Sequence, residues 1–423
     1  ANLHHRLAFN SSWLVVNAAF SFAFTGLQSF HLVSGFFFLL ALLYFVGGVD
    51  DLVKGKLTWH GMFKILAIPL SFYLFSAVIS SPAYDMPAAL LIWVLAILWL
   101  EGVEDQSKWE DFAPVIFLFS VFALTVKLSA LPLLLFPIWI LFYQARQREW
   151  KKVAAFGALA FVVLIPWMTR SVILSGYLVF PVSELDLFSF DWKFPSEQVS
   201  EIRDGIVGFA RQPGKDWREA VSMTFSEWFP LWYGDLTLNQ KIIFLLALFS
   251  PLLLALGKLI SSALLSPRLV WVFLTLYAGV FYWFLTAPDI RFGYGFLVGA
   301  DILIISFFLL IFFQRLNRIQ PQVNWLVFSG LVLYLAFMLA SSIDASTLSE
   351  RIVQPLEYAR SRALPCDISN GAVFCRVEGG QCNYETFPCI PSPRPNVEMR
   401  GATFRDGFRP SGSNPDLNAP SAP

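Results

Sequence analysis

The chain has 423 residues, of which 57% are hydrophobic and only 14% are charged, and its formal net charge is +0. Soluble domains are about half apolar and about a quarter charged, so this composition excludes an ordinary soluble domain. The zero net charge and the lack of a basic stripe argue against nucleic acid as a partner. Apolar residues concentrate in runs such as 32–49 and 292–313, long enough to cross a bilayer. The sequence therefore predicts an all-α membrane protein whose first partner is the lipid bilayer.

The N-terminal segment 1–31 starts with Ala1 instead of Met, and no signal peptide is visible. We expect from this a truncated N-terminus, with one membrane span and a catalytic loop missing ahead of it. Residues 10–26 are apolar but short, and they include Asn17 and Ser21. They predict an amphipathic helix lying on the outer membrane face.

The polytopic domain is predicted to extend over 32–343. The run 112–143 within it would be ~48 Å long as one helix, too long for a ~30 Å hydrocarbon core. Lys127, Ser129 and Pro132 mark its middle, so we expect a hairpin there. About ten spans result: 32–49, 62–79, 86–101, 112–126, 128–144, 152–170, 240–259, 268–287, 291–314 and 324–343.

The charges of the connections orient these spans. Lys and Arg occur in every odd-numbered connection, whereas the second and eighth connections contain none. By the positive-inside rule the odd connections lie in the cytoplasm. The even connections, the long loop 171–239 and the C-terminal tail then lie outside. The cations of the odd connections are Lys54, Lys56, Lys108, Arg146, Arg148, Lys151, Lys152, Lys258, Arg268, Arg315 and Arg318.

The tail is predicted to form an extracytoplasmic segment over 344–409, followed by a disordered end at 410–423. It contains all four cysteines of the chain: Cys366, Cys375, Cys382 and Cys389. An even number of cysteines in an oxidising compartment predicts disulfides, and three pairings are open. Zinc ligation is the alternative, but the spacing contains no CxxC pair.

A second group of charges lies at predicted outer helix ends. A polar cavity there could hold a phosphate or pyrophosphate through Arg and Lys, while carboxylates serve as general base or bind a divalent cation. Each residue also has a structural explanation. Asp289 and Arg291 could pair across a turn, Lys127 could extend to the interface, and Asp85 could cap a helix. Arg170 could anchor a phospholipid, and His4 and His5 could be exposed merely by a chain end. The group consists of Asp85, Lys127, Arg170, Asp289, Arg291, His4 and His5.

Other features favour different interpretations. Asp301 lies ten residues past Arg291, ~15 Å deeper along a helix, and a mid-membrane acid keeps a transporter hypothesis open. The loop 171–239 contains aromatic residues that could stack on sugar rings or anchor interfacial helices; one such helix is predicted over 216–229. Gly293-Tyr294-Gly295 lies inside a span, where close helix packing explains it better than nucleotide binding. The aromatic residues are Trp192, Trp217, Trp228, Trp232 and Tyr233.

Several motifs carry a resemblance to a family of bacterial multi-spanning proteins. They are NLHHRLAFNSS at 2–12, SPAYDMP at 81–87, KLS at 127–129, Arg170 followed by SGY at 175–177 and Pro181, DIRFG at 289–293, and the tail pairs Gln381-Cys382, Pro388-Cys389, Arg400-Gly401 and Gly407-Phe408. That family resembles the GT-C glycosyltransferase superfamily, alongside protein mannosyltransferases of glycosyltransferase family 39.

The resemblance implies a GT-C-like fold with an outward-facing site and a polyprenyl phosphate or pyrophosphate sugar donor. It implies that the principal catalytic acid lies ahead of Ala1 and that Asp85 matches an acidic position after the family's third span. A divalent cation, Mg²⁺ or Mn²⁺, is the only cofactor it suggests. Lys127, Arg170, Tyr177, Asp289, Arg291, His4 and His5 are then the expected substrate-binding residues.

The predicted function is a membrane glycosyltransferase of the bacterial plasma membrane. It would transfer a sugar from a polyprenyl-linked donor to an extracytoplasmic acceptor. The alternatives are a transporter or flippase of lipid-linked saccharide, a surface-polysaccharide polymerase or ligase, and a non-catalytic envelope protein. The sugar, the acceptor and the oligomeric state are left open by the sequence.

Overall fold

The fold is given by a computed structural model that describes most of the chain up to residue 315 and parts of the tail. The described residues are 5–20, 32–212, 215–260, 266–315, 329–330, 332–334, 336–337, 340, 362, 364–369, 372–375, 378, 389 and 397–411. His4, Cys382, the end 410–423 beyond residue 411, and most of the tenth predicted span lie outside them.

Up to residue 315 the described residues form thirteen α-helices, with short 3₁₀ turns between some of them. The helices are α1 Ser12–Ala19, α2 Leu32–Val53, α3 Trp59–Phe75, α4 Asp85–Glu104, α5 Trp109–Val126, α6 Leu135–Arg146, α7 Trp150–Ser175, α8 Ser196–Arg211, α9 Trp217–Ser222, α10 Phe225–Asp235, α11 Leu238–Ile260, α12 Pro267–Thr286 and α13 Ile290–Arg315.

Nine of these helices, some with an adjoining 3₁₀ turn, are long and apolar enough to cross a membrane within the described part of the chain. The prediction of an all-α, multi-pass membrane protein is therefore confirmed. The nine match the first nine predicted spans, with ends that differ by several residues. The spans are Leu32–Val53, Trp59–Val78, Asp85–Glu104, Gln106–Val126, Leu128–Arg146, Trp150–Ser175, Leu238–Leu259, Pro267–Thr286 and Ile290–Phe313.

The chain divides into two compact units. The bundle unit comprises Ser11–Val163 and Thr224–Leu356, and the loop–tail unit comprises Ala1–Asn10, Leu164–Met223 and Glu357–Pro423. The loop 171–239 is thus shared between them. Its last part, with α10, belongs to the bundle unit.

The bundle unit is built around α4 and α13, which are the most buried of the described spans. Both pack against α3 and α12. Glycines of α13 permit close approach: a Cβ on Gly295 would lie 2.4 Å from Ile92, and the carbonyl of Gly295 accepts a hydrogen bond from Trp93 Nε1 at 2.9 Å. The Gly-x-Gly motif therefore serves helix packing, as its position in a span predicted.

The run 112–143 breaks where the sequence placed the break. Helix α5 ends at Val126, Lys127 is extended, and a 3₁₀ turn over Leu128–Leu134 leads into α6. Pro132 lies inside this turn, which has no regular α-helical bonding to lose. The break places Lys127 at a helix end with its side chain free to reach a neighbouring helix.

Helix α1 replaces the longer amphipathic helix expected over 10–26. Ser11 caps its first turn, and the Ser11 hydroxyl donates to the carbonyl of Val126 at 2.8 Å. Trp13 and Asn17 are buried, and the Trp13 ring lies 5.3 Å from that of Phe37. The helix is therefore docked on bundle helices through one face, and residues 21–26 lie outside the described part.

The loop–tail unit has a small core of its own, made by Ala8, Tyr177, Phe180, Phe194 and Val199. Helices α8 and α9 pack against each other, with Gly208 tight against the backbone of Trp217. In the tail, strand β1 (Asp367–Ser369) pairs with β2 (Ala372–Phe374), and β3 (Val397–Met399) with β4 (Phe408–Pro410), both antiparallel.

Disulfides are present in the tail, as the even cysteine count predicted. Cys366 and Cys375 are bonded to each other across the β1–β2 hairpin. Cys389 is also disulfide-bonded. Of the three pairings open to the sequence, the one that joins the first two cysteines is present.

Candidate functional site

One end of the bundle unit gathers four charged residues at helix ends. Asp85 is the first residue of α4, where a carboxylate complements the positive end of the helix dipole. Lys127 follows α5. Asp289 precedes α13 and caps it, because its Oδ1 accepts a hydrogen bond from the Arg291 amide at 3.1 Å. We call Asp85, Lys127, Asp289 and Arg291 the charged cluster.

The charged cluster consists of two ion pairs that share one aromatic ring. Lys127 Nζ donates a hydrogen bond to Asp85 Oδ1 at 2.6 Å, and Arg291 Nε lies 3.1 Å from Asp289 Oδ2. Lys127 Nζ and Arg291 Cζ lie 4.3 and 4.9 Å from the centre of the Phe292 ring. The sequence predicted these four residues at one membrane face, and the structure brings them together.

In each pair one member is more deeply buried than the other. Lys127 exposes 13% of its side chain and Asp85 exposes 34%. Asp289 exposes 10% and Arg291 exposes 52%. The cluster therefore presents an exposed guanidinium and a half-buried carboxylate, and each is paired with a more deeply buried side chain of opposite charge.

Burial shifts the pKa values of Lys127 and Asp289 in opposite directions. It lowers the pKa of the Lys127 ammonium, although Asp85 and Asp289 partly offset this by favouring its charged form. Burial raises the pKa of the Asp289 carboxyl, and Arg291 partly offsets that shift. Ionisable groups with such environments are enriched at functional sites.

Some of the purely structural roles expected for these residues are also observed. Asp289 does pair with Arg291 across a turn and does cap a helix. Lys127 does not extend alone to the interface, since it is hydrogen-bonded to Asp85. Pairing and function are compatible, because a paired side chain is also a fixed one.

The other predicted site residues belong to the loop–tail unit. Arg170 Nη1 donates to Asn10 Oδ1 at 2.8 Å, and Asn10 Nδ2 donates to the Trp167 carbonyl at 2.6 Å. Tyr177 is fully buried in the core of this unit, and its hydroxyl donates to the Phe194 carbonyl at 3.0 Å. Burial and Asp186 raise the pKa of Tyr177 to about 12.

Arg170 and Tyr177 therefore make hydrogen bonds within the loop–tail unit. Tyr177 has no exposed face for a sugar ring, so its predicted part in a sugar site has no support in its surroundings. His5 lies in a short 3₁₀ turn over His5–Ala8. His4 lies outside the described residues.

The tryptophans of the long loop are engaged with the protein. Trp228 and Trp232 are buried within α10, and Trp217 packs beside Gly205 and Gly208. Trp192 stacks on Phe190 at 4.3 Å, and Arg400 lies over the same indole at 4.7 Å. The single helix predicted over 216–229 is instead two, α9 and α10, separated at Met223 and Thr224.

The opposite end of the bundle unit contains a second polar group that the sequence analysis missed. Lys64 and Glu101 form a buried ion pair, and the Tyr44 hydroxyl donates to Glu101 Oε1 at 3.0 Å. His60 Nδ1 lies 2.5 Å from Glu104 Oε2, and its Nε2 lies 3.2 Å from Asp51 Oδ2. We call these six residues the inner cluster.

A signal for the inner cluster was available in the sequence. Lys64 and Glu101 stand inside predicted spans, and charges within spans are functional candidates by default. Asp301, which the sequence did single out, is buried in α13, and its Oδ1 has no hydrogen-bond partner among the described residues. Polar groups therefore occur at both ends and in the middle of the bundle unit.

The candidate metal ligands are those in the described part of the chain. No group of three or more His, Cys, Asp or Glu side chains is placed there to hold a metal ion. In the charged cluster each carboxylate already has a cationic partner. The divalent cation that the resemblance suggests therefore stays a prediction.

Comparison with known proteins gives a family and no characterised relative. No curated protein and no solved structure matches the chain. The model of one family, described as "Domain of unknown function (DUF8201)", matches residues 1–298, which include every member of the charged cluster and of the inner cluster. Since the match covers more than half of the sequence, the chain belongs to the DUF8201 family.

Proposed function

We propose that the protein is a membrane glycosyltransferase that takes a sugar from a polyprenyl phosphate or pyrophosphate donor and transfers it to an acceptor outside the cytoplasm. The observation that carries this proposal is the charged cluster, where an exposed guanidinium and a half-buried carboxylate belong to two ion pairs that contact the same Phe292 ring at one end of the bundle unit. The resemblance to GT-C enzymes supplies the reaction class by analogy.

Arg291 is the proposed ligand of the donor phosphate. Guanidinium groups bind phosphate through paired hydrogen bonds, and Arg291 is the exposed member of its pair. Asp289 fixes the guanidinium from beneath. A lipid-linked donor can reach a helix end from the bilayer while its phosphate remains at the interface.

Asp85 is the proposed general base. In the transfer step the acceptor hydroxyl attacks the anomeric carbon, a new carbon–oxygen bond forms, and the bond from that carbon to the phosphate oxygen breaks. The bonding electrons leave with the donor phosphate, and the hydroxyl proton passes to Asp85. Lys127 orients Asp85 through the 2.6 Å hydrogen bond, so its role changes from phosphate ligand to positioning residue. No step is assigned to a metal ion.

The proposed setting is the bacterial plasma membrane, with the charged cluster and the tail outside. The alternation of Lys and Arg along the connections supports this orientation. Disulfides in the tail support it too, because disulfides persist in oxidising compartments.

A transporter or flippase of lipid-linked saccharide is the second candidate. Asp301 and the buried Lys64–Glu101 pair favour it, because a transport path needs polar groups within the membrane. In proteoliposomes a transporter moves its substrate across the bilayer without altering it, whereas a transferase releases the polyprenyl phosphate on one side.

The test is transfer from radiolabelled polyprenyl-linked sugars by purified full-length protein in proteoliposomes. We expect activity with the wild type and a loss of at least tenfold in both Asp85→Asn and Arg291→Ala, since each removes a charged hydrogen-bonding group worth ~1.5–3 kcal/mol. Glu110→Gln is the control, because Glu110 forms an exposed pair with Lys152 away from the cluster. Equal transfer by all four proteins would rule out the assigned roles.

A further inference from the structure

The turn that leads into α13 is fastened by two indole groups. Trp232 Nε1 donates a hydrogen bond to the Pro288 carbonyl at 2.7 Å, and Trp283 Nε1 donates to the Asp289 carbonyl at 2.7 Å. Both indoles are buried. Two consecutive carbonyls of one turn are thus held by side chains from two different helices, α10 and α12.

This turn carries Asp289, the buried member of one of the two ion pairs in the charged cluster. Asp289 is one of the two residues whose carbonyls are held, and its carboxylate pairs with Arg291 two residues later. A shift of the Asp289 backbone would move the carboxylate that fixes the Arg291 guanidinium. The two indole hydrogen bonds therefore act on Arg291, the group proposed to bind phosphate, through its partner Asp289.

The indoles are themselves tightly placed. A Cβ on Gly293 would lie 2.8 Å from the Trp283 ring, so glycine at this position lets the indole reach the turn. Trp232 lies 5.1 Å from the Phe244 ring of α11 and 6.2 Å from Trp283. Helix α10 begins with a capping box formed by Thr224 and Glu227, which fixes its start.

We propose that Trp232 and Trp283 are positioning residues that hold the Pro288–Asp289 turn in the place from which Arg291 binds a phosphate group. This inference rests on the proposed function for its ligand, and it assigns the aromatic helix α10 a role other than sugar stacking. Through Trp232, the last part of the long loop is tied directly to the charged cluster.

The test compares Trp232→Phe and Trp283→Phe with the wild type. Phenylalanine keeps most of the ring but removes the N–H donor. Phe244→Leu is the matched control, because it disturbs the same aromatic packing and leaves both hydrogen bonds intact. A further variant, Gly293→Ala, places a methyl group against the Trp283 ring without changing any indole.

Three measurements are made on each protein in nanodiscs. Binding of polyprenyl phosphate should weaken roughly three- to tenfold in either Trp variant, the loss expected for one hydrogen bond of ~0.5–1.5 kcal/mol. In transfer assays the loss should appear in KM and not in kcat. Amide hydrogen exchange in the peptide over 287–292 should accelerate in the Trp variants and in Gly293→Ala, but not in Phe244→Leu.

The outcomes separate this inference from the proposed function. If Arg291→Ala abolishes binding while both Trp variants bind like the wild type, the positioning role is wrong and the proposed function stands. If the wild type does not bind polyprenyl phosphate, the proposed function is wrong. Even then, faster amide exchange confined to the Trp variants and Gly293→Ala would support the inference that the two indoles hold the turn in place. Unchanged amide exchange in these variants would show that the two indoles do not hold the turn in place.

Discussion

The Lys127–Asp85 pair can be tested through the unequal burial of its two members. Lys127 exposes 13% of its side chain, whereas Asp85 exposes 34%. Asp85→Asn leaves the buried ammonium without its charged partner, which we expect to cost about 3 kcal/mol of unfolding free energy. Lys127→Met leaves a carboxylate that water can reach, and we expect this change to cost about 1 kcal/mol.

The expected signature is a rescue. Adding Lys127→Met to Asp85→Asn removes the unpaired ammonium, so the double variant should be about 2 kcal/mol more stable than Asp85→Asn alone. Equilibrium unfolding in mixed detergent micelles measures the four proteins of the cycle. The pair Lys152–Glu110 has a similar separation, 2.9 Å, but both side chains are largely exposed. It serves as the matched control, with an expected coupling below about 1 kcal/mol.

Two results would refute this reasoning. One is a double variant whose loss of stability equals the sum of the two single losses. The other is a larger loss in Lys127→Met than in Asp85→Asn. Either result would mean that Asp85 does not neutralise a buried ammonium.

The remaining predictions concern pH and sidedness. Because burial lowers the pKa of Lys127, transfer should decline with rising pH before the ordinary lysine value of 10.5 is reached. Between this lowered pKa and 10.5, Lys127 is protonated in the unfolded chain and deprotonated in the folded one. The unfolded chain therefore binds more protons in this pH range, and stability should rise with pH. Lys127→Arg should move the decline in transfer to higher pH; an unchanged profile in this variant would exclude Lys127 as its source. A membrane-impermeant maleimide added outside intact cells should label Cys366 and Cys375 only after reduction. Labelling that requires permeabilised cells would instead place the tail inside.

The membrane spans were predictable because each is a contiguous apolar run, and composition alone identifies such runs. The charged cluster was predictable for a related reason. Charges are costly near a bilayer, so those at helix ends attract notice, and the alternation of connections put Asp85, Lys127, Asp289 and Arg291 at one face. The break at Lys127 also followed from length, since one helix over 112–143 would be too long.

Other features depended on tertiary packing, which one sequence does not reveal. Whether Tyr177 is a core residue or a surface residue depends on which segments fold around it. The hydrogen bonds from Trp232 and Trp283 join residues that are distant in sequence in one case and close in the other, and neither is marked by a motif. Lys64 and Glu101 were overlooked because each lies near the end of its predicted span, and one sequence does not show that the two side chains meet.

The central claim is that the charged cluster binds the phosphate of a polyprenyl carrier, and photocrosslinking tests it most directly. A polyprenyl phosphate with a photoreactive group near its phosphate is added to the full chain in nanodiscs, and the labelled peptides are identified. We predict labelling at Lys127 and in the segment 289–292, with competition by unlabelled polyprenyl phosphate and loss in Arg291→Ala. Labelling spread over exposed faces such as α11, without competition and unchanged in Arg291→Ala, would contradict the claim.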